Sequence, residues 1–126
     1  MTKKEMTAYL KSIGGLNNKR HSNPLINSEG LGVGVGWYLL IKNLCDELIE
    51  SGWDKEIIEI KEKFGGLRFT IGETNTELNE IINKFQNLSI QTCEVCGEVG
   101  SQTETGWIKT LCGKHKVSRE KFVGSD

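Results

Sequence analysis

Three cysteines and one histidine fall into two pairs of equal gap: Cys93-Glu94-Val95-Cys96 and, fifteen residues later, Cys112-Gly113-Lys114-His115. Thiolate sulfur and imidazole nitrogen are the ligands preferred by a borderline-soft, tetrahedral ion such as Zn²⁺, and two tight turns with two-residue gaps supply four of them. Gly97 follows the first pair and lets the backbone turn beneath the ion. A disulfide or a redox Cys-x-x-Cys is the competing reading. A redox pair belongs at a strand-to-helix junction of a βαβ unit and would give Cys112 and His115 no role. Four protein ligands also close the coordination sphere, so the expected cofactor is a structural Zn²⁺ held by Cys93, Cys96, Cys112 and His115.

A second set of residues has the chemistry to bind rather than to fold. Lys61-Glu62-Lys63-Phe64-Gly65-Gly66-Leu67-Arg68-Phe69 concentrates three cations, an aromatic ring and two glycines near one turn. Alternation puts Lys61 and Lys63 on one face, and the glycines admit a flat ligand or another backbone. The bland reading is a charged hairpin end that keeps a sheet edge soluble. Lys19-Arg20-His21 is a further basic triplet, solvated by default but suited to a nearby phosphate. Gly30, Gly32, Gly34 and Gly36 alternate, yet the spacing fails the dinucleotide fingerprint, because Val35 or Trp37 stands where its third glycine belongs. What survives is a flexible approach to a helix N-terminus whose free N–H groups suit an anion. Cys45 lies on an apolar helical stripe and reads as a core residue. No nucleophile, base and orienting group assemble from the spacing, so the expectation is a protein that is not an enzyme.

These residues must be positioned by a small soluble fold. The chain has 126 residues, 37% of them hydrophobic and 26% charged, with 15 Gly, one Pro, four Cys and two His. That composition fits one modest globular core and excludes low-complexity, collagen-like and membrane-spanning classes. The N-terminus leads into no apolar run of the kind a secretory signal requires, so the expected location is the cytoplasm, where thiols stay reduced. The net charge of −1 divides into +4 over residues 1–21, −5 over 22–60, +2 over 61–70, −2 over 71–92 and zero over 93–126. No sustained basic surplus exists for coating a duplex.

Residues 2–12 read as an amphipathic helix capped by Thr2, and 14–36 as a long surface loop. Residues 37–51 read as a strongly apolar helix stopped by Gly52, and 56–71 as a β-hairpin turning at Gly65-Gly66. Thr74-x-x-Glu77 predicts a capping box for a helix over 75–88. The fold class is therefore α+β: a small antiparallel sheet, the hairpin at about 56–71, packed with two or three helices. Residues 1–92 form this part. Residues 93–126 form a zinc-binding module in the order knuckle, hairpin and helix, like a treble clef or zinc ribbon, packed with the rest as one compact unit and folding on metal binding.

Three strings together resemble a family of small, mostly uncharacterised phage and prophage proteins: Gly36-Trp37-Tyr38, Lys61 to Phe69, and Cys93-x-x-Cys96-Gly97 with Trp107-x-x-Thr110-Leu111-Cys112-x-x-His115. The similarity covers roughly residues 36–115 and leaves 1–35 outside. It implies a phage origin, host cytoplasm and a zinc module without naming an activity. Phage accessory proteins of this size often act against host defence, by sequestering a nucleotide signal or masking a host protein. The first expectation is a non-enzymatic protein binding a phosphate-bearing nucleotide, or a defence protein, through Lys61, Lys63, Phe64 and Arg68 with Lys19, Arg20 and His21. The alternative is a zinc-finger adaptor for nucleic acid or protein, contacting nucleic acid through Lys109, Lys114, Lys116, Arg119 and Lys121. Self-association into a homo-oligomer is compatible with either.

Overall fold

The computed structural model describes residues 1–14, 31–104 and 106–117. Its elements run α1 (Lys3–Ser12), a 3₁₀ turn (Val35–Trp37), α2 (Tyr38–Glu50), β1 (Ile57–Lys63), β2 (Gly66–Ile71), α3 (Thr76–Ser89), β3 (Ser101–Gln102) and β4 (Thr110–Leu111). A helical turn over 113–117 follows β4. This is an α+β fold: one antiparallel hairpin packed with three helices, and a C-terminal Cys3His cluster with a small strand pair and helix, in the manner of a zinc module. Among the described residues, no helix is long and apolar enough to cross a membrane.

Helix α1 forms where its cap predicts. Thr2 accepts from the Glu5 N–H at 3.1 Å and the Glu5 carboxylate accepts from the Thr2 N–H at 2.9 Å, a reciprocal capping box. Met6 and Leu10 turn inward against α2, whose buried face is Tyr38, Ile41, Leu44, Cys45 and Leu48. Tyr9 joins the two helices by donating to Asp46 at 2.5 Å, while Lys42 reaches the same carboxylate at 2.7 Å. Burial and that hydrogen bond push the Tyr9 hydroxyl well above its ordinary pKa. Cys45 is wholly buried, and burial raises its thiol to about 12, the state of an inert core residue.

Helix α3 starts one residue later than the Thr74 capping box predicts. Asn75 is the cap, its carboxamide accepting from the Leu78 N–H at 2.9 Å, and Thr74 instead donates to Asn79. Asn ranks above Thr as an N-cap, in keeping with the cap falling on Asn75. Which one serves depends on where the chain leaves β2.

The hairpin pairs Lys61 with Arg68 and Lys63 with Gly66, so its turn is centred on Phe64-Gly65 and not on the two glycines. Both central residues have positive φ, 53° and 79°, as a two-residue turn of matching twist demands. A bulge at Ile58 shifts the register, which lets Ile57 and Ile60, three apart, both face the core. Each outer edge of the sheet is engaged. Gly32 forms a parallel bridge to Lys61 on the β1 side. On the β2 side the N–H groups of Leu67 and Phe69 donate to Ser89 Oγ at 2.9 Å and Gln86 Oε1 at 3.1 Å, both from α3.

The expected surface loop over 14–36 is corrected where it is described. Within 31–36, Leu31 and Val33 are buried and the alternate glycines lie against other backbone, while Val35 is exposed. A Cβ on Gly32 would stand 2.9 Å from the Ile60 carbonyl oxygen, on Gly34 2.4 Å from that of Glu94, and on Gly36 2.3 Å from that of Cys93. The glycines are there because strand β1 on one side and the cysteine knuckle on the other leave no room for a side chain.

Candidate metal centre and adjoining cavity

The four predicted ligands come together. The ligand atoms of Cys93, Cys96, Cys112 and His115 all lie within 4.8 Å of one another. Cys96 Sγ is 3.7 Å from Cys112 Sγ, and His115 Nδ1 is 3.5 Å from Cys93 Sγ and 3.1 Å from Cys112 Sγ. Thiolates about 2.3 Å from a common tetrahedral centre sit roughly 3.8 Å apart, so the donors are spaced for one ion between them. They are far outside disulfide length, and all four cysteines of the chain are free.

Local backbone makes this geometry. The Gly97 N–H donates to the Cys93 carbonyl at 2.9 Å and the Cys93 N–H to the Glu98 carbonyl at 2.7 Å, folding the first pair into a knuckle. Strands β3 and β4 then pair Ser101 with Leu111 and Gln102 with Thr110, which returns the chain to Cys112. The helical turn over 113–117 carries His115 back to the cysteines. Burial alone would raise the Cys93 thiol, but backbone hydrogen bonds from Cys112, Cys96 and Val95 outweigh it and hold the group at about 6. At Cys96 the backbone hydrogen bond from Glu98 favours the thiolate, yet desolvation, thiol contacts with Cys93 and Cys112 and the Cys93 charge together raise it. Backbone hydrogen bonding thus favours the thiolate, the form that ligates a metal, at Cys93. The arrangement can hold a metal ion with no protein position left open.

The knuckle is also tied inward by a polar network that has no mark in the sequence. Glu94, buried between the two cysteines, accepts from the Gly34 N–H at 2.8 Å through its carboxylate and from the Gly36 N–H at 2.8 Å through its carbonyl. The N–H groups expected to suit an external anion are therefore used by the protein's own Glu94. Lys109 Nζ lies 3.7 Å from Glu94 and 3.5 Å from Glu62, and Glu62 accepts from the Gly65 N–H at 2.9 Å. Two largely buried glutamates, one lysine and three glycine amides thus join the hairpin, the glycine segment and the metal cluster. Trp37 adds a fourth tie, its indole N–H donating to the Thr92 carbonyl at 2.8 Å.

Beside the hairpin turn is a cavity of about 450 Å³, wide open to solvent and lined mostly by exposed residues. Lys63, Phe64 and Arg68 line it from the hairpin. Asn83, Gln86, Asn87 and Ile90 line it from α3, and Gln102 from β3. Lys61 shares the hairpin face but is paired with Glu59 at 3.1 Å and does not reach the cavity. Among the described residues, neither Lys63 nor Arg68 has a carboxylate partner. Phe64 is 66% exposed, with Lys63 Nζ 5.7 Å from its ring centre. Its left-handed backbone costs about 1–2 kcal/mol for a non-glycine residue. A bulky side chain held in that conformation and left in solvent is the kind of local strain that accompanies binding sites. Lys19, Arg20 and His21 lie outside the described residues, as do Arg119 and Lys121. Lys114 is exposed, Lys116 donates to Ser101 Oγ, and Lys109 is turned into the Glu62–Glu94 network.

The α3 amides escaped the sequence reading. Asn83, Gln86 and Asn87 recur at the spacing of one helical face, flanking the apolar stripe of Leu78, Ile82 and Phe85. That periodicity was available, but only the hairpin's position beside α3 makes it a wall. Comparison with known proteins adds nothing to this geometry: the chain matches no family model, no curated protein and no solved structure.

Proposed function

We propose that this chain is a non-enzymatic binding module for a phosphate-bearing nucleotide, with a structural Zn²⁺ at Cys93, Cys96, Cys112 and His115. One observation carries the ligand reading: two cations without carboxylate partners among the described residues, an exposed ring and a row of amides line a single cavity. Its volume is within the range of small-molecule sites. Arg68 and Lys63 offer charge-assisted hydrogen bonds to a phosphate, Phe64 offers a stacking face, and the amides offer donors and acceptors to a base edge. The donor set of three thiolates and one imidazole is the chemistry that supports zinc. The phage resemblance of the 36–38, 61–69, 93–97 and 107–115 strings supplies the biological setting of this proposal, removal of a nucleotide signal used by a host's defences.

The adaptor alternative has less to draw on, since Lys109 and Lys116 are engaged within the module. Of the cations expected to contact nucleic acid, Lys114 alone is exposed among the described residues.

The deciding experiment is calorimetric titration of the zinc-loaded chain with AMP, GMP and cyclic AMP, with adenosine and inorganic phosphate as fragments. Binding of a nucleotide more tightly than of either fragment is the expected result. Replacing Lys63 and Arg68 together by Ala should weaken that binding at least about a hundredfold, since each charge-assisted bond contributes roughly 1.5–3 kcal/mol. Both side chains are exposed, so unfolding should shift by no more than about 0.5 kcal/mol. Unchanged affinity in the double variant would remove the site.

Phe64→Asn separates stability from binding. Asn-Gly is the preferred pair for a turn with two positive φ angles, so the variant should be more stable by about 0.5–1 kcal/mol in urea unfolding. It should nonetheless bind nucleotide roughly tenfold more weakly, having lost a stacking contact of about 1–3 kcal/mol. A variant that gains stability and keeps full affinity would leave the ring without a role.

A further inference from the structure

We infer that the cavity and the metal cluster are energetically linked: the strand pair carried between the two ligand pairs sets the shape of the hairpin turn, so metal and nucleotide bind cooperatively. The inference rests on the proposed reading of the cavity as a nucleotide site and names how that site is regulated.

Both carbonyls of the turn are held from the metal-bearing segment. Gln102 of β3 donates through Nε2 to the Phe64 carbonyl at 3.0 Å, and the same residue lines the cavity. Thr110 of β4, fully buried, donates through Oγ1 to the Gly65 carbonyl at 2.5 Å. The fit between the two segments is close: a Cβ on Gly65 would stand 3.2 Å from Ile108 Cγ2 and 3.3 Å from the Lys109 carbonyl carbon. The hairpin register requires the left-handed conformation of Phe64, and the bonds from β3 and β4 brace the turn in that form.

Apart from the burial of Thr110 and Leu111, the Lys109 pairs with Glu62 and Glu94 and the Gly100 N–H bond to the Gln91 carbonyl, strands β3 and β4 are held through the metal cluster. Each is two residues long, and a pair that short has no stability of its own. The principal hydrophobic cluster takes its members from α1, residues 31–53, the hairpin and α3, and none from 93–117. What fixes the segment is its attachment at either end: Cys93 and Cys96 before it, Cys112 and His115 after it, with the Glu94 N–H donating to the Thr110 carbonyl at 3.0 Å. Removing the ion therefore frees β3 and β4, and with them the Gln102 wall and the two bonds to the turn. Residues under the hairpin, such as Ile60, Leu67 and Phe69, keep their packing. Linkage then requires that a nucleotide in the cavity strengthen metal binding by the factor that metal strengthens nucleotide binding.

The full-length chain, ¹⁵N-labelled and loaded with zinc, tests this in two arms. In the first, without ligand, stripping zinc with EDTA should move or broaden the amide signals of Phe64 and Gly65 and the side-chain amide of Gln102, while those of Ile41 and Leu44 stay in place. Turn signals identical in the two states would overturn the inference. In the second, the affinity for AMP should fall at least tenfold when zinc is removed, and saturating AMP should raise zinc affinity, read by competition with a chelating dye, by a matching factor. Gln102→Ala, an exposed change that spares the ligands, should retain one zinc per chain and lose most of that coupling. Equal AMP affinity with and without zinc would overturn the linkage. If AMP binds in neither state, the nucleotide reading falls, and the turn amides alone then decide whether metal shapes the turn.

Discussion

Cys96→Ser should leave a chain that holds far less metal and whose amides over 93–117 exchange freely, while α2 and α3 stay protected. A structural zinc contributes roughly 10–16 kcal/mol of binding free energy, so losing one of four ligands should remove about 3 kcal/mol, near a hundredfold in affinity. The effect is expected to stay local. The module contributes nothing to the main hydrophobic cluster, which has its own packing among α1, α2, the hairpin and α3. Metal content by elemental analysis and hydrogen exchange by mass spectrometry read the two halves of this expectation. A metal-free variant with full protection over 93–117 would show that the ion is not what orders the module.

The second large effect is expected from a single methyl group. Gly36→Ala would place a Cβ 2.3 Å from the Cys93 carbonyl oxygen and 2.6 Å from the Glu94 carbonyl carbon and oxygen, all of them backbone atoms that cannot rotate aside. The glycine segment must then lift off the knuckle, breaking the Gly36 N–H bond to Glu94 and straining the neighbouring Gly34 bond to its carboxylate. A loss of roughly 3–5 kcal/mol is expected, in the range reserved for overpacked backbone and broken buried networks. Gly113→Ala is the natural comparison. Its Cβ would meet nothing within 4 Å, and the position is helical, so the change should stabilise by a few tenths of a kcal/mol to about 1. Urea unfolding of the two variants side by side checks the contrast. Equal stabilities would mean that the close approach at Gly36 relaxes without penalty.

What was legible in the sequence follows from how local each cause is. The Thr2–Glu5 cap, the apolar face of α2 and the alternation of Leu67, Phe69 and Ile71 are set within a few residues of one another, and they appear where expected. The metal cluster was legible because ligation restricts residue type and spacing together. Three features were not. The Ile58 bulge changes which residues face the core without changing composition, so an alternating pattern cannot reveal it. The purpose of Gly32, Gly34 and Gly36 depends on backbone 28 and about 60 residues away, and contacts at that separation leave no periodic trace. Lys109 reads as a surface cation beside other cations, and only the approach of Glu62 and Glu94 turns it inward. For the cavity, the hairpin's contribution was legible in Lys63, Phe64 and Arg68, while Lys61 was separated from them by its pairing with Glu59.

A two-stranded sheet ordinarily offers each neighbour in solution a row of unpaired backbone groups, and thereby a template on which a second molecule can add a strand. Here Gly32 bridges to one outer edge and the Ser89 and Gln86 side chains take the amides of the other. A second chain seeking to add a strand therefore finds the Leu67 and Phe69 amides of β2 already taken by α3 and the β1 edge already occupied at Lys61 by Gly32.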